Sequence, residues 1–564
     1  MEGALEPLLS NQNAMGKGGL RTMPFIIANE AFERVASFGL SANMIFYLKS
    51  EYDMETTRAT NLILNWSAAT NILPVIGAIV ADSYVGRYSI IGFGSIASLL
   101  GTILLWLTTI FEGGKPTTIQ YMLLYASVGL MSIGAGGIRA SSMTFGADQL
   151  IKKGDNLKNA GMLQSYFGWY YVACAVSYIV SVSCIVYIQD QFGWTVGFGV
   201  PVVLMLLSAV SFFLASPIYV KEKPNSNLLI GLAQVVVASY KNRHISLSSE
   251  AMDEMYHRRN ESTVLMPSEK LRILNKACII RNPEKDLTPD GKASNPWSLC
   301  TIDQVEELKA LINVIPIWST GIIFSVDISQ LALGAIQAKT IDRHITRNLE
   351  IPAGSLGLFL MVALTLWITL YDRIIVPLAS KIRGQPSYLS TKLRMGIGLL
   401  LSVTSLASWA IVESIRRELA VKEGFSDDPT GVVDMSVLWL LPHLIMDGLA
   451  EAFYTVAANE FFYCEFPKSM SSISSGLSGV ALSVANVLAS VILNAVDYVS
   501  KLGGGESWVS NNINKGHYDY YFWFLACLCL VNFLYYLICS KAYGPCRSVV
   551  NNGYNEHKSS TQEC

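Results

Sequence analysis

Apolar runs of about 20 residues recur along the chain between short polar turns, the length needed to cross a hydrocarbon core roughly 30 Å thick. Twelve such runs are read. The first six are Pro24 to Tyr47, Ala59 to Val80, Tyr88 to Phe111, Ile119 to Phe145, Leu163 to Tyr187 and Val196 to Val220. The second six are Val305 to Gln330, Leu356 to Leu378, Leu389 to Ile415, Val433 to Phe461, Ser474 to Val499 and Tyr520 to Ser540. Between them the stretch 221–304 carries KNRH, EKLR and NPEKD, and is too charged to enter a bilayer. The pattern predicts an all-α membrane protein: a tail (1–23), six helices (24–220), a polar linker (221–304), six helices (305–540) and a second tail (541–564).

Composition agrees with this pattern. Hydrophobic residues make up 51% of the 564 and charged residues 15%, a balance that soluble domains rarely show. Lys and Arg slightly favour the side that holds the N-terminus, the linker and the C-terminus, so both ends are expected to be cytoplasmic. The opening residues are acidic and polar, without the pattern of a cleavable signal peptide. A formal net charge of −2 gives no reason to expect nucleic acid. Ten cysteines are scattered, with no CxxC pair, and six histidines form no metal motif, so neither metal nor cofactor is expected. The Asn260-Glu261-Ser262 sequon lies in the linker, where a glycan would contradict this topology.

Several charges fall inside the apolar runs. An ionisable side chain at mid-bilayer costs about 2.5–3.5 kcal/mol on insertion scales, and such residues usually face a bundle interior or an aqueous cavity. Glu30, Glu33 and Arg34 stand at i, i+3 and i+4, on one face of the first helix. They read either as a structural ion pair or as a proton-coupling site, in which a carboxylate gains or loses its proton as the arginine withdraws or engages. Arg139 follows Gly134, Gly136 and Gly137 in the fourth run, and Glu451 lies in the tenth. His443, Asp447 and Glu451 follow one another at i+4 steps along one helix face, and Asp327 is a further acid in the seventh run. His443 with Asp447 reads as a candidate proton path or a contact for a cationic group. Lys309, after Glu306 and Glu307, reads first as a local ion pair and interfacial anchor, and second as part of an inner gate. Between the second and third runs GAIVADSYVGRYS places Gly77, Asp82, Gly86 and Arg87, where glycines allow a tight turn and the two charges can meet at the mouths of neighbouring helices.

The G-x-x-x-A-D-x-x-x-G-R spacing, within six plus six runs, resembles the loop signature of the major facilitator superfamily. More narrowly the chain resembles the plant nitrate and peptide transporter family, a branch of the proton-dependent oligopeptide transporters. The matching stretches are EAFER (30–34), ADSYVGR (81–87), GAGGIRA (134–140), FGADQ (145–149), VEELKALINVIPIW (305–318), YDRIIVPLA (371–379), LSTKLRMGIGL (389–399) and NINKGHYDYYFW (512–523), which run from the first helix to the last.

The resemblance implies two six-helix bundles that alternate access to a central site, and proton binding at Glu30, Glu33 and Arg34. It further implies an ion pair between Arg139 and Glu451 that closes the cavity, with a permanent packing bridge as the alternative. The expected function is proton-coupled symport of a small molecule, nitrate first, with peptides, hormones or specialised metabolites as alternatives. Among the twelve runs, an intramembrane Asp327 and Asp447 depart from the family pattern and tilt toward a positively charged solute. Ile328 stands where a nitrate-transporting member has a nitrate-contacting histidine, and Leu100 where it has a regulatory threonine. A ligand-sensing receptor on a transporter scaffold is the alternative from another class; no nucleophile–base or metal constellation supports an enzyme. The partners expected are protons, a small-molecule substrate and the lipid bilayer, most readily that of the plasma membrane or else a vacuolar or other endomembrane. The oligomeric state is open.

Overall fold

The computed structural model describes residues 18–111, 116–150, 156–221, 228–244, 256–258, 266–289, 291–347, 349–383, 389–467, 470–502 and 504–544. The Asn260 sequon and nearly all of both tails fall outside them. The main helices are α1 (Met23–Ser50), α2 (Thr56–Val80), α3 (Arg87–Thr108), α4 (Thr118–Leu150), α5 (Asn156–Val180) and α6 (Val186–Leu214). After them come α7 (Leu228–Lys241), α8 (Ile302–Ile328), α9 (Leu331–Lys339), α10 (Gly357–Leu370), α11 (Val376–Arg383), α12 (Thr391–Lys422), α13 (Leu441–Glu465), α14 (Ser471–Ser500) and α15 (Tyr518–Tyr543). Single π-turns at Ala81–Val85, Ser181–Ile185 and Tyr371–Ile375 prolong α2, α5 and α10.

Ten helical stretches among the described residues are long and apolar enough to cross a membrane. One of them, Ser165–Leu214, is 50 residues long and breaks at Gly193, whose φ of 79° no helix accepts, so it supplies two crossings. The charged α1 stands outside the ten and is 28 residues long. Counted this way the helices give the twelve crossings of a major facilitator fold.

The first of two compact units comprises Met1–Pro224, Gly321–Val456 and Gly479–Leu534. Within it the helices of the first half close on small residues. A Cβ at Gly77 of α2 would collide with the Gly136 carbonyl of α4, and one at Gly137 would sit 2.5 Å from the Ile90 carbonyl of α3. Here backbone meets backbone, a contact driven by packing because lipid offers no hydrophobic force between helices. Hydrogen bonds then tie these helices to the later segments. Ser483 Oγ donates to the Ala68 carbonyl (2.9 Å), Ser490 Oγ to Asn61 Oδ1 (2.7 Å) and Asn61 Nδ2 to Asn494 Oδ1 (2.7 Å).

The second unit comprises Asn225–Thr320, Ala457–Ser478 and Tyr535–Cys564. Its part of the linker is folded: α7 packs on the turn Arg272–Cys278, and Asn242 Nδ2 donates to the carbonyls of Lys276 (2.9 Å) and Ser298 (3.2 Å). Nearby, burial pushes the Cys300 thiol up to about 11.

Two stretches differ from the expected helices. Val433–Ser436 is a strand, β4, paired in parallel with β1 (Ile341–Asp342), so the tenth crossing starts only at Val437, where a 3-10 turn leads into α13. The seventh crossing ends at Ile328, and α9 follows as a separate helix. A short hairpin of β2 (His344–Thr346) and β3 (Leu349–Glu350) lies beyond it.

Gly77→Leu is expected to cost on the order of 1–3 kcal/mol through overpacking at the α2–α4 crossing. A fluorescence-detected thermal melt in detergent should show a lowered midpoint; an unchanged melt would mean that the two backbones are not locked together.

Candidate functional site

Pro24 occupies the first turn of α1, where its missing N–H is no loss, and the helix then carries its charges inward. Glu30 and Glu33 are buried, 2% and 1% exposed. The charges divide into two pairs. Arg34 Nε lies 2.8 Å from Glu30 Oε1, an i,i+4 contact along α1. Arg139 reaches across from α4 and grips Glu33 with two parallel bonds, Nε to Oε2 at 2.8 Å and a terminal nitrogen to Oε1 at 2.9 Å. Its guanidinium also stands 5.4 Å from the centroid of Phe38. Glu30 Oε2 is buried with no hydrogen-bond partner.

Arg139 and Glu451, expected to meet, form no ion pair in this structure. α1 and α4 pack directly, and Arg139 of α4 spends its guanidinium on Glu33 of α1. Glu451 instead keeps one carboxylate oxygen, Oε2, buried and without a partner.

The other acids gather in the later segments of the same unit. Asp327, in the last turn of α8, accepts from Ser402 Oγ of α12 at 2.7 Å, while its Oδ1 has no partner. On α13, His443 Nδ1 lies 2.8 Å from Ser405 Oγ and 3.5 Å from Asp447 Oδ2. The imidazole stacks on Trp409 with centroids 4.2 Å apart, and Trp409 stacks on Phe522 at 3.9 Å. Asp447 Oδ1 also has no partner.

In the loop after α2, Gly86 adopts φ 87°, a conformation that favours glycine, and turns the chain so that Arg87 meets Asp82 (2.9 Å). Arg87 also holds Asp148 of α4 at 2.6 Å. Asp148 was not singled out from the sequence, although FGADQ carried it in plain view. Lys309 of the second unit forms an i,i+3 pair with Glu306 at 2.8 Å and donates to the Ser268 carbonyl at 2.7 Å. A further cluster was missed altogether. Glu413 and Arg416 of α12 are wholly buried in bidentate contact, with Gln337 donating to Glu413 (2.7 Å) and Arg416 donating to Asn514 (2.7 Å). Its signal was the i,i+3 pair in VESIRRE, near the end of the ninth run.

Helices long and apolar enough to cross a membrane, packed around buried, partnered charges, define an integral membrane protein. A match to the POT family, PTR2, covers residues 88–509. Two relatives from Arabidopsis thaliana, NRT1/PTR FAMILY 1.2 and 1.1, are each 50% identical to it, over 564 and 553 aligned residues. These alignments take in 96% and 95% of this chain and 93% of each relative. Among solved structures, an auto inhibited POT family peptide transporter aligns with TM-score 0.69 at 17% identity, over 93% of this chain and 98% of its own. A peptide transporter POT in complex with sulfate aligns with TM-score 0.62 at 14% identity, over 94% and 98%. The chain belongs to the POT family, within its NRT1/PTR members, and is a transporter rather than an enzyme.

Arg416→Met should destabilise the protein by about 3–5 kcal/mol, because it strands the Glu413 charge in the core. The double variant with Glu413→Leu should recover much of that loss in the same thermal melt. Equal melting of single and double variants would refute the pairing energetics.

Proposed function

We propose that this transporter is a proton-coupled symporter that moves a small solute by alternating access, with Glu33 and Arg139 as its coupling pair. The observation that carries this reading is the two-point grip of Arg139 on Glu33 inside the bundle. While the guanidinium is engaged, Glu33 stays ionised at little cost; when the arginine withdraws, a lone buried carboxylate is expensive and takes a proton. The exchange runs equally in reverse: protonating Glu33 frees Arg139 to meet an anionic group, or Glu451 in another state of the cycle. Protonation of Glu33 and capture of an anion by Arg139 thereby favour one another, which couples the two movements. Glu30 and Arg34, one turn away, form the second half of the relay and hold the local charge balance when Glu33 is neutral. The triad Asp82, Arg87 and Asp148 steadies the end of the first-half helices as they move, and Lys309 anchors the start of α8.

Nitrate is the first solute to test, since a planar guanidinium suits a small planar anion. A sulfate complex of one solved relative, and a complex of another with 5-aminolevulinic acid, are compatible with an anion or a zwitterion. Peptides, plant hormones and specialised metabolites are the other solutes to screen. A receptor on the same scaffold would bind without flux. On this reading both termini face the cytoplasm and the protein resides in the plasma membrane, with a vacuolar or other endomembrane as the alternative.

In proteoliposomes with an inward proton gradient, Glu33→Gln should abolish accumulation of the solute while sparing downhill exchange. Arg139→Lys should lower transport at least tenfold, because an ammonium cannot reproduce the two-point contact. Gradient-driven accumulation at the wild-type level in Glu33→Gln would refute the coupling role.

A further inference from the structure

The buried acids fall into two groups. Glu33 has Arg139, Glu30 has Arg34, and the wholly buried Glu413 has Arg416 with Gln337 in addition. Each of those acids has an arginine in direct contact. Asp327 and Asp447 are just as enclosed, 3% and 5% exposed, yet neither has a lysine or arginine among its ion-pair contacts. Each has one carboxylate oxygen with no donor at all, as does Glu451 one turn along α13.

The groups around them can be named element by element. From α8 comes Asp327, and from α12 the hydroxyls of Ser402 and Ser405 with the indole of Trp409. On α13 stand His443, Asp447 and Glu451, and α15 adds the Cys529 thiol, 3.8 Å from Ser402 Oγ. Tyr178 of α5 faces Glu451 closely enough to feel its charge. Ser402, which holds Asp327, and Ser405, which holds the His443–Asp447 pair, stand at i and i+3 on one face of α12, so the two aspartates converge on the same stretch of that helix. The one basic side chain among these is His443, and its Nδ1 is already hydrogen-bonded to Ser405 Oγ at 2.8 Å.

Two carboxylates that feel one another in an apolar bundle, without a cation, cannot both ionise cheaply. A proton on one carboxyl removes the repulsion and supplies the donor that the cluster lacks. Among the described residues no three His, Cys, Asp or Glu side chains converge where a metal ion could sit, and both aspartates are too enclosed to meet a solute. The ligand of matching size is the proton itself.

We propose that Asp327 and Asp447, flanked by His443 and Glu451, form a second proton-loading site separate from Glu33. Resting on the proton-coupled reading, it adds a second titrating centre to the transport cycle. The step is simple to balance: a proton delivered by water forms an O–H bond on one aspartate, and leaves to water when the surrounding helices part.

The test is infrared difference spectroscopy of the full-length protein in liposomes, with no solute and no gradient, titrated from acidic to alkaline buffer in H2O and in D2O. A carboxylic-acid C=O band that shifts in D2O should persist at neutral pH. It should lose intensity in Asp447→Asn and in Asp327→Asn, survive in Glu33→Gln, and return in Asp447→Glu, the conservative variant that keeps the acid if an asparagine disturbs folding. Absence of that band from the wild-type protein at neutral pH, or a band unchanged in both asparagine variants, overturns the second site. Because the measurement needs no transport, its failure leaves the role of Glu33 standing, and a failure of Glu33→Gln to affect uptake leaves this site standing.

Discussion

A charge inside a hydrocarbon slab must find its opposite or give itself up to a proton. The contact between Arg139 and Glu33 is the first solution at full strength: two short parallel bonds, a carboxylate 1% exposed, and an aromatic ring beside the cation. A buried pair of this kind contributes little net stability against an apolar replacement, because desolvation offsets most of the attraction. Its value lies in what happens when it opens. Each partner then needs a substitute at once, and the substitutes at hand are a proton for the acid and an anion for the base.

That constraint reaches outward into the packing. Arg139 can serve Glu33 only at a fixed height, and the height comes from backbone contact of α4 with α3 and α2 through Gly137, Gly136 and Gly77. Larger side chains there would move the arginine along with its helix. The Arg87 contacts to Asp82 and Asp148 brace one end of the same helices, and Gly86 makes the turn that allows them. The scaffold is built around where one guanidinium has to be.

Much of this was legible in the chain. Run length alone gave a membrane protein, and the E-x-x-E-R spacing marked α1 as the helix with buried work to do. What the spacing could not supply was the partner. Helix periodicity relates residues within a helix, so Arg34 with Glu30 was within reach, whereas Glu33 with Arg139 depends on how two helices cross. The same limit hid Asp148, whose partner Arg87 stands 61 positions earlier. The tenth crossing was read too long because Val433 and Met435 read as the start of its apolar run, whereas their alternation with Asp434 and Ser436 is the strand period and Val433–Ser436 pairs with Ile341–Asp342. Glu413 and Arg416 drew no notice, since nothing local reveals that an i,i+3 pair at the end of a run is fully enclosed.

The account stands most directly on whether protons move with the solute. Purified protein in liposomes loaded with a pH-sensitive dye should acidify the interior when nitrate or another transported solute is added outside, in step with solute entry. Solute entry at full rate with no change of internal pH would contradict the account.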